Sequence, residues 1–257
     1  NPYPSTYRAG AATTTLIRGA TVLTGTGTKL DGADVLIANG KIEAVGPNLG
    51  APGGARVIDG QGRWVTPGLI DVHSHLGVYP TPGVDAHSDG NEMTDPVTAN
   101  VWAEHGVWPQ DPGFQAALEG GITSLQILPG SGNLIGGRAV TLKNVAATTY
   151  QAMKFPNAPQ GLKMACGENP KRVYGGQSRA PMTRMGNVAG FRQAFAQRRH
   201  SAQCAHRFGP REQPSWGAGR SSAATASGSE HSVERLRSYE GPPGARAGGE
   251  GLRRTRQ

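Results

Sequence analysis

The chain has 257 residues and a formal net charge of +8; 36% are hydrophobic, and 39 Gly and 19 Pro make it rich in turn formers. That length suits one large domain or two small ones, while two cysteines, Cys166 and Cys204, exclude a disulfide framework. No apolar run approaches the ~20 residues of a membrane-spanning helix. The charge is uneven: residues 1–197 hold 15 Lys/Arg against 13 Asp/Glu, whereas residues 198–257 hold 11 Arg, no Lys and 5 Glu. The chain starts at Asn1 without a methionine, which is compatible with a removed leader and a periplasmic or secreted destination.

In chain order, residues 1–12 read as a loose lead-in. Thr15–Thr24 carries β-branched residues and predicts one or two strands. Ala33–Ala38 and Lys41–Gly46 flank Asn39-Gly40, a strong hairpin signal because both turn positions tolerate positive φ. Arg56–Asp59 and Arg63–Val65, separated by Gly60–Gly62, suggest a second hairpin. A small sheet of this kind needs a partner to bury its second face.

Thr66-Pro-Gly-Leu-Ile-Asp-Val-His-Ser-His-Leu76 is the most informative stretch: a turn, a short apolar strand and two histidines at its end. Alternation along a strand puts Asp71, His73 and His75 on one side, and paired imidazoles on a rigid strand make half of a metal site. Tyr79–Asp95 follows as a polar loop carrying Asp85, His87, Asp89 and Glu92, each read as solvated although metal or substrate contacts are open to it. Val97–Val107 is compatible with a helix bearing Glu104 and His105 on its surface.

Asp111-Pro112-Gly113 predicts a capped helix with Phe114–Glu119 as its body and Gly120-Gly121 as its end; Ile122–Leu128 is then a strand. Helix, glycine pair and strand in this order predict a parallel βα repeat. Pro129–Gly137 is glycine-rich and includes Ser131 and Asn133, which are candidates for a substrate loop. Its spacing matches no P-loop, so a tight active-site loop and a plain turn are the two readings. Ala139–Val145 predicts a strand, as does Leu162–Cys166, which places Lys163 in a buried position. A buried lysine is costly unless it is paired, modified or able to extend its head to solvent. Glu168 beside Asn169-Pro170 reads as a helix-start carboxylate. Lys171–Thr183 predicts a mobile basic loop, and Met185–Gln197 a helix with Val188, Phe191 and Phe195 at helical spacing.

The run from Pro67 to His75 resembles the signature of the amidohydrolase superfamily of metal-dependent hydrolases, of the imidazolonepropionase and dipeptidase kind. The resemblance implies a (β/α)8 barrel with one or two divalent metals, usually zinc, at the C-terminal ends of its strands. It implies that His73 and His75 are first-strand ligands. Lys163, carbamylated, and Glu168 are the two candidates for a bridging ligand from a middle strand. Asp71 would orient an imidazole from behind, or be a plain strand-end acid. The family also uses two histidines from later strands and a basic aspartate from the eighth; no catalytic base is identified in this chain. The histidines past Gln197 are His200, His206 and His231, none in a strand-like context.

The expected fold is α/β: part of a β-sandwich over residues 1–66, the N-terminal half of a barrel over 67–197, and a disordered Arg-rich tail over 198–257. That tail holds only Phe208, Val233, Leu236 and Leu252 among Ile, Leu, Val, Met and Phe, too few to offset the entropy of ordering. A short helix at Glu230–Tyr239 is the exception to its lack of pattern. A frameshift near residue 197, leaving a truncated and inactive chain, is one origin; a binding arm is the other. The expected chemistry of the intact family is hydrolysis of amide, cyclic amide or peptide-like C–N bonds in a small-molecule substrate. A non-catalytic fragment or basic-tailed binding module is the alternative. Specific nucleic-acid binding is not expected, since the arginines are scattered and only Trp216 and Tyr239 offer Trp or Tyr stacking platforms there. A homo-oligomer is compatible with the sequence.

Overall fold

The computed structural model describes residues 3–208, with side chains to residue 199. The disorder expected for most of the tail, and the helix expected at Glu230–Tyr239, lie outside the described residues.

The N-terminal sheet is built from β1 (Thr15–Leu23), β2 (Lys29–Ala38), β3 (Lys41–Gly46), β4 (Arg56–Asp59) and β5 (Trp64–Val65). Its order is β3-β2-β1-β4, with β5 also on β1. β2 and β3 form the hairpin expected at Asn39-Gly40, whose φ values of 53° and 72° give a primed turn. The second hairpin is a misreading. β4 runs parallel to β1 at Thr15–Arg18, and β5 runs parallel to β1 at Thr21–Val22. They are two successive pieces of one edge. Gly60 lies so close that a Cβ there would stand 2.7 Å from the Arg18 carbonyl oxygen. The irregularity in β1 at Gly19 (φ 67°) is fixed by Asp34, whose carboxylate accepts from the N–H groups of Gly19 and Leu49 at 2.9 and 3.0 Å. Ala20, Val22, Ala33 and Val35 form the buried centre of this sheet.

The remainder is mixed α/β. β6 (Leu69–Ser74) and β7 (Ile122–Ile127) are parallel, and α1 (Pro112–Glu119) lies between them in sequence, as the βα reading requires. The Asp111 carboxylate caps α1 by accepting from Gly113 N–H at 2.8 Å; it also accepts from Gly77 and Thr81 N–H groups. β9 (Val140–Lys143) adds to β7 antiparallel. The glycine-rich loop contains a strand the sequence did not suggest, β8 (Ile135–Arg138), paired antiparallel with β10 (Leu162–Met164). Val78, Phe114, Leu125, Ile127, Val140, Leu142 and Met153 make the core beneath these strands.

Three helices follow β9: α2 (Tyr150–Met153), α3 (Glu168–Gly175) and α4 (Arg184–Phe208). α3 takes in the first five residues of the loop expected at Lys171–Thr183; Pro170 sits in its first turn, where its missing N–H costs nothing. α4 starts where expected but continues past Gln197, so the change in composition there falls inside a helix. The helix expected at Val97–Val107 is absent. Val97 and Trp102 bridge instead to Ile135 and Arg138, and only Ala103–His105 makes a single tight turn. No helix among the described residues is long and apolar enough to cross a membrane.

Candidate functional site

β6 ends at Ser74 and delivers His73 and His75, with ring centroids 5.3 Å apart and planes nearly perpendicular. His75 Nδ1 lies 2.9 Å from the Leu128 carbonyl oxygen at the end of β7. A carbonyl only accepts, so Nδ1 carries the proton and the Nε2 lone pair is left free for a ligand. Asp71 acts through the backbone: its Oδ1 accepts from the His73 N–H at 3.0 Å, so it fixes the strand end rather than an imidazole edge.

Lys163 completes the cluster. Its neighbours on β10, Leu162 and Met164, are exposed, while Lys163 is turned inward with 7% of its surface left. Its Nζ stands 3.2 Å from His73 Nε2. Its burial was expected from the strand; its place beside the histidines was expected only from the family resemblance, which offered Glu168 as the other candidate. Burial lowers the Lys163 pKa below the usual lysine range. The adjacent Lys163 charge, then burial and His75, hold the His73 pKa below that of a free imidazole. Both effects favour neutral nitrogen lone pairs, the form that binds a metal.

Glu168 is elsewhere. It stands exposed at the start of α3, 3.9 Å from Arg172 one helical turn on. Among the described residues no three His, Cys, Asp or Glu side chains gather as a metal-holding group. The donors the structure does bring together are His73, His75 and Lys163. They fit part of a tetrahedral zinc set: two imidazoles, with an amine that becomes a carboxylate ligand if carbamylated.

The Pro129–Gly137 loop begins at the Leu128 carbonyl that holds His75. Gly130 allows close approach, but what approaches is Asn91, whose Oδ1 would stand 2.2 Å from a Cβ there. Ser131 is half-buried. Asn133 is buried, and it is consumed by structure. Its Nδ2 lies 2.5 and 2.9 Å from the Glu92 and Asp95 carbonyl oxygens, and 3.2 and 3.0 Å from Thr98 Oγ1 and Tyr174 Oη. Its Oδ1 accepts from Asn91 Nδ2 at 3.1 Å. Asn133 is therefore a clamp for the 91–98 segment rather than a free substrate contact. Tyr174 donates to the Asp95 carbonyl, and burial pushes its phenol up to about 12.

The sequence reading missed Tyr79, Asn91 and Trp102. Tyr79 packs 5.9 Å from the His75 ring and donates to Asn91 Oδ1 at 2.9 Å. Beyond it lies a cleft of about 460 Å³ lined by Asp89, Asn91, Glu92, Trp102 and His105 among others. The signal was weak: an aromatic and an amide inside a polar loop carry no period. Glu104, expected on the surface, is 1% exposed and ion-paired with Lys154.

No family model matches the chain. It is 38% identical to an amidohydrolase, tasK, of Hapsidospora irregularis, over 74% of this chain and 22% of that one. It is 35% identical to a dihydroorotase of Geobacter sulfurreducens, over 47% of this chain and 23% of that one. Among solved structures, an amidohydrolase from Thermotoga maritima superposes with a TM-score of 0.68 at 42% identity, covering 74% of this chain and 49% of that one. The chain thus spans under a quarter of these two curated relatives and about half of the Thermotoga protein. The His-x-His strand, the α/β scaffold around it and these likenesses agree: the chain belongs to the amidohydrolase superfamily.

Proposed function

We propose that His73, His75 and Lys163 hold a divalent metal, zinc by the chemistry of the donors, in a site for hydrolysing C–N bonds of a small-molecule amide, cyclic amide or peptide-like substrate. The observation that carries the reading is Lys163 Nζ at 3.2 Å from His73 Nε2, a buried amine aimed at an imidazole whose neighbour has its Nδ1 proton fixed by a backbone carbonyl. A metal held there supplies Lewis acidity, polarising a carbonyl and lowering the pKa of a water towards ~7. The protein's own part is positional. Asp71 holds the strand end, the Leu128 carbonyl holds the His75 tautomer, and burial keeps Lys163 reactive towards carbon dioxide. The scaffold is read as the N-terminal half of a (β/α)8 barrel, with β6 and β7 as its first two strands, next to part of a β-sandwich.

A second reading has its own support: the described donors are two histidines and a lysine, with no base among them, so the chain alone binds metal without turnover. Metal analysis and activity together test both. Purified chain dialysed against zinc is expected to retain about one ion, as tight structural and catalytic sites do, and to lose it in His73→Ala. Hydrolysis of cyclic amides that disappears in the same variant supports the enzyme; zinc retention without hydrolysis supports the second reading. Zinc content unchanged in His73→Ala overturns the site.

A further inference from the structure

The Tyr79 hydroxyl sits at the exposed end of a hydrogen-bond chain, and the buried end of that chain fixes its direction. Asn133 is 1% exposed, and its Nδ2 lies 2.5 and 2.9 Å from the Glu92 and Asp95 carbonyl oxygens. Carbonyls only accept, so the Asn133 amide nitrogen faces them and its Oδ1 faces Asn91. Asn91 must then donate through Nδ2, at 3.1 Å, which turns its own Oδ1 towards Tyr79. Tyr79 Oη therefore donates to Asn91, at 2.9 Å. Reversing either amide would set oxygen against oxygen at the next link. The single phenol proton is thereby committed, and what the hydroxyl offers outward is a lone pair.

The ring is held as firmly as the hydroxyl. The Tyr79 N–H donates to the His75 carbonyl at 3.0 Å. The ring stands nearly perpendicular to that of His75, with centroids 5.9 Å apart. It packs against two glycines: a Cβ at Gly90 would lie 2.1 Å from Tyr79 Cε2, and one at Gly130 2.9 Å from Oη. Tyr79 nonetheless keeps 41% of its surface, and its bond to Asn91 is open to solvent. We propose that Tyr79 determines substrate specificity: its oriented phenol oxygen accepts a hydrogen bond from a substrate N–H. It thereby selects cyclic amides and imides with an unsubstituted nitrogen over their N-alkylated forms. The proposal rests on the substrate site read at His73, His75 and Lys163. An N-alkyl group has no proton to give, so it would cover the acceptor and leave it unpaired, which is how a hydrogen-bonding site rejects an analogue.

The test titrates the full chain, with zinc and without it, with succinimide and with N-methylsuccinimide, followed by ligand-observed NMR. Succinimide is expected to bind about 5–10-fold more tightly, the yield of one net hydrogen bond. Tyr79→Phe keeps a ring against His75 and removes the acceptor. It is expected to weaken succinimide alone, to bring the two ligands within about 2-fold of each other, and to leave zinc retention unchanged. Protein groups orient the acceptor, so the preference is expected in the metal-free chain as well. A chain that retains no zinc therefore condemns the metal site and leaves this comparison to be decided on its own. A preference that persists in Tyr79→Phe is steric and overturns the proposal. Equal binding of the two imides to the parent chain overturns it too, as does binding of neither.

Discussion

Lys154 and Lys163 are hidden to the same degree, each 7% exposed, yet their surroundings differ in kind. Lys154 lies at the end of α2 and meets a full counter-charge. Its Nζ is ion-paired with the buried Glu104 and donates to the Tyr3 carbonyl at 2.8 Å, beneath an N-terminal segment that Ser5 and Thr6 pin to the α2 region. Lys163 meets an imidazole and no carboxylate. One environment neutralises a charge to build structure; the other leaves an amine without a counter-charge beside a histidine pair. Burial alone does not mark a functional lysine. What marks Lys163 is burial without a carboxylate, next to another group whose lone pair is also being kept free.

The largest test of that contrast removes the counter-charge. Glu104→Gln leaves the Lys154 ammonium buried without an anion, and breaking such a pair typically costs about 3–5 kcal/mol. Glu104 Oε1 has no hydrogen-bond partner among the described residues, so Lys154 is the group that compensates this buried carboxylate. Urea titration of the variant is expected to show a much lower midpoint. Replacing both partners, Glu104→Leu with Lys154→Met, should restore most of the stability, because a matched apolar pair leaves no orphaned charge. A single variant as stable as the parent would mean that the pair is not buried in solution.

The reverse is expected at Lys163. Lys163→Met removes a desolvated amine with no carboxylate partner, so it should stabilise the metal-free protein by about 1–2 kcal/mol while abolishing zinc retention, the usual trade of stability against function. The sign of the pH dependence follows from the lowered pKa. Below its folded pKa the lysine is protonated in both states and the native state bears the whole desolvation penalty. As pH rises through the folded pKa towards the free-lysine value of ~10.4, the native amine sheds its proton first and the penalty fades. The gain from Lys163→Met should therefore be largest near pH 7 and shrink by pH 10. A gain that grows with pH would break the comparison.

These two lysines also show what sequence can carry. Lys163 was legible because its own strand announced burial: a charge between Leu162 and Met164 in a short apolar run. The burial expected for the whole run Leu162–Cys166 holds for Lys163 alone among the strand residues: the strand ends at Met164, and Leu162 and Met164 are exposed. Glu104 was not legible. Its partner is 50 residues away, and nothing local distinguishes a buried glutamate from a surface one. The same division runs through the fold. The Asn39-Gly40 hairpin and the Asp111 cap are set by neighbours in sequence and stand where expected. β4 and β5 were misread because their partner, β1, is about 40 residues earlier and parallel. β8 was missed because two glycines hide its strand character. The His-x-His pair was plain in the sequence; Tyr79 and Asn91, which pack behind it, became visible only when the loop was folded.

The smallest effect probes the strap over Lys154. Ser5 Oγ donates to the Lys154 backbone carbonyl at 2.6 Å and accepts from the Tyr7 N–H at 3.1 Å. Ser5→Ala removes both, with an expected loss of about 1 kcal/mol, that of a typical net hydrogen bond. Because the Ser5 partner is a main-chain oxygen, the loss should be the same in the Glu104→Leu/Lys154→Met background, within about 0.5 kcal/mol. Additivity would show that the strap is tied down by the backbone and merely passes over the ion pair. A larger coupling would mean that the Lys154 ammonium, through the Tyr3 carbonyl, holds the strap in place, so that the buried charge serves the N-terminus as much as the N-terminus shields the charge.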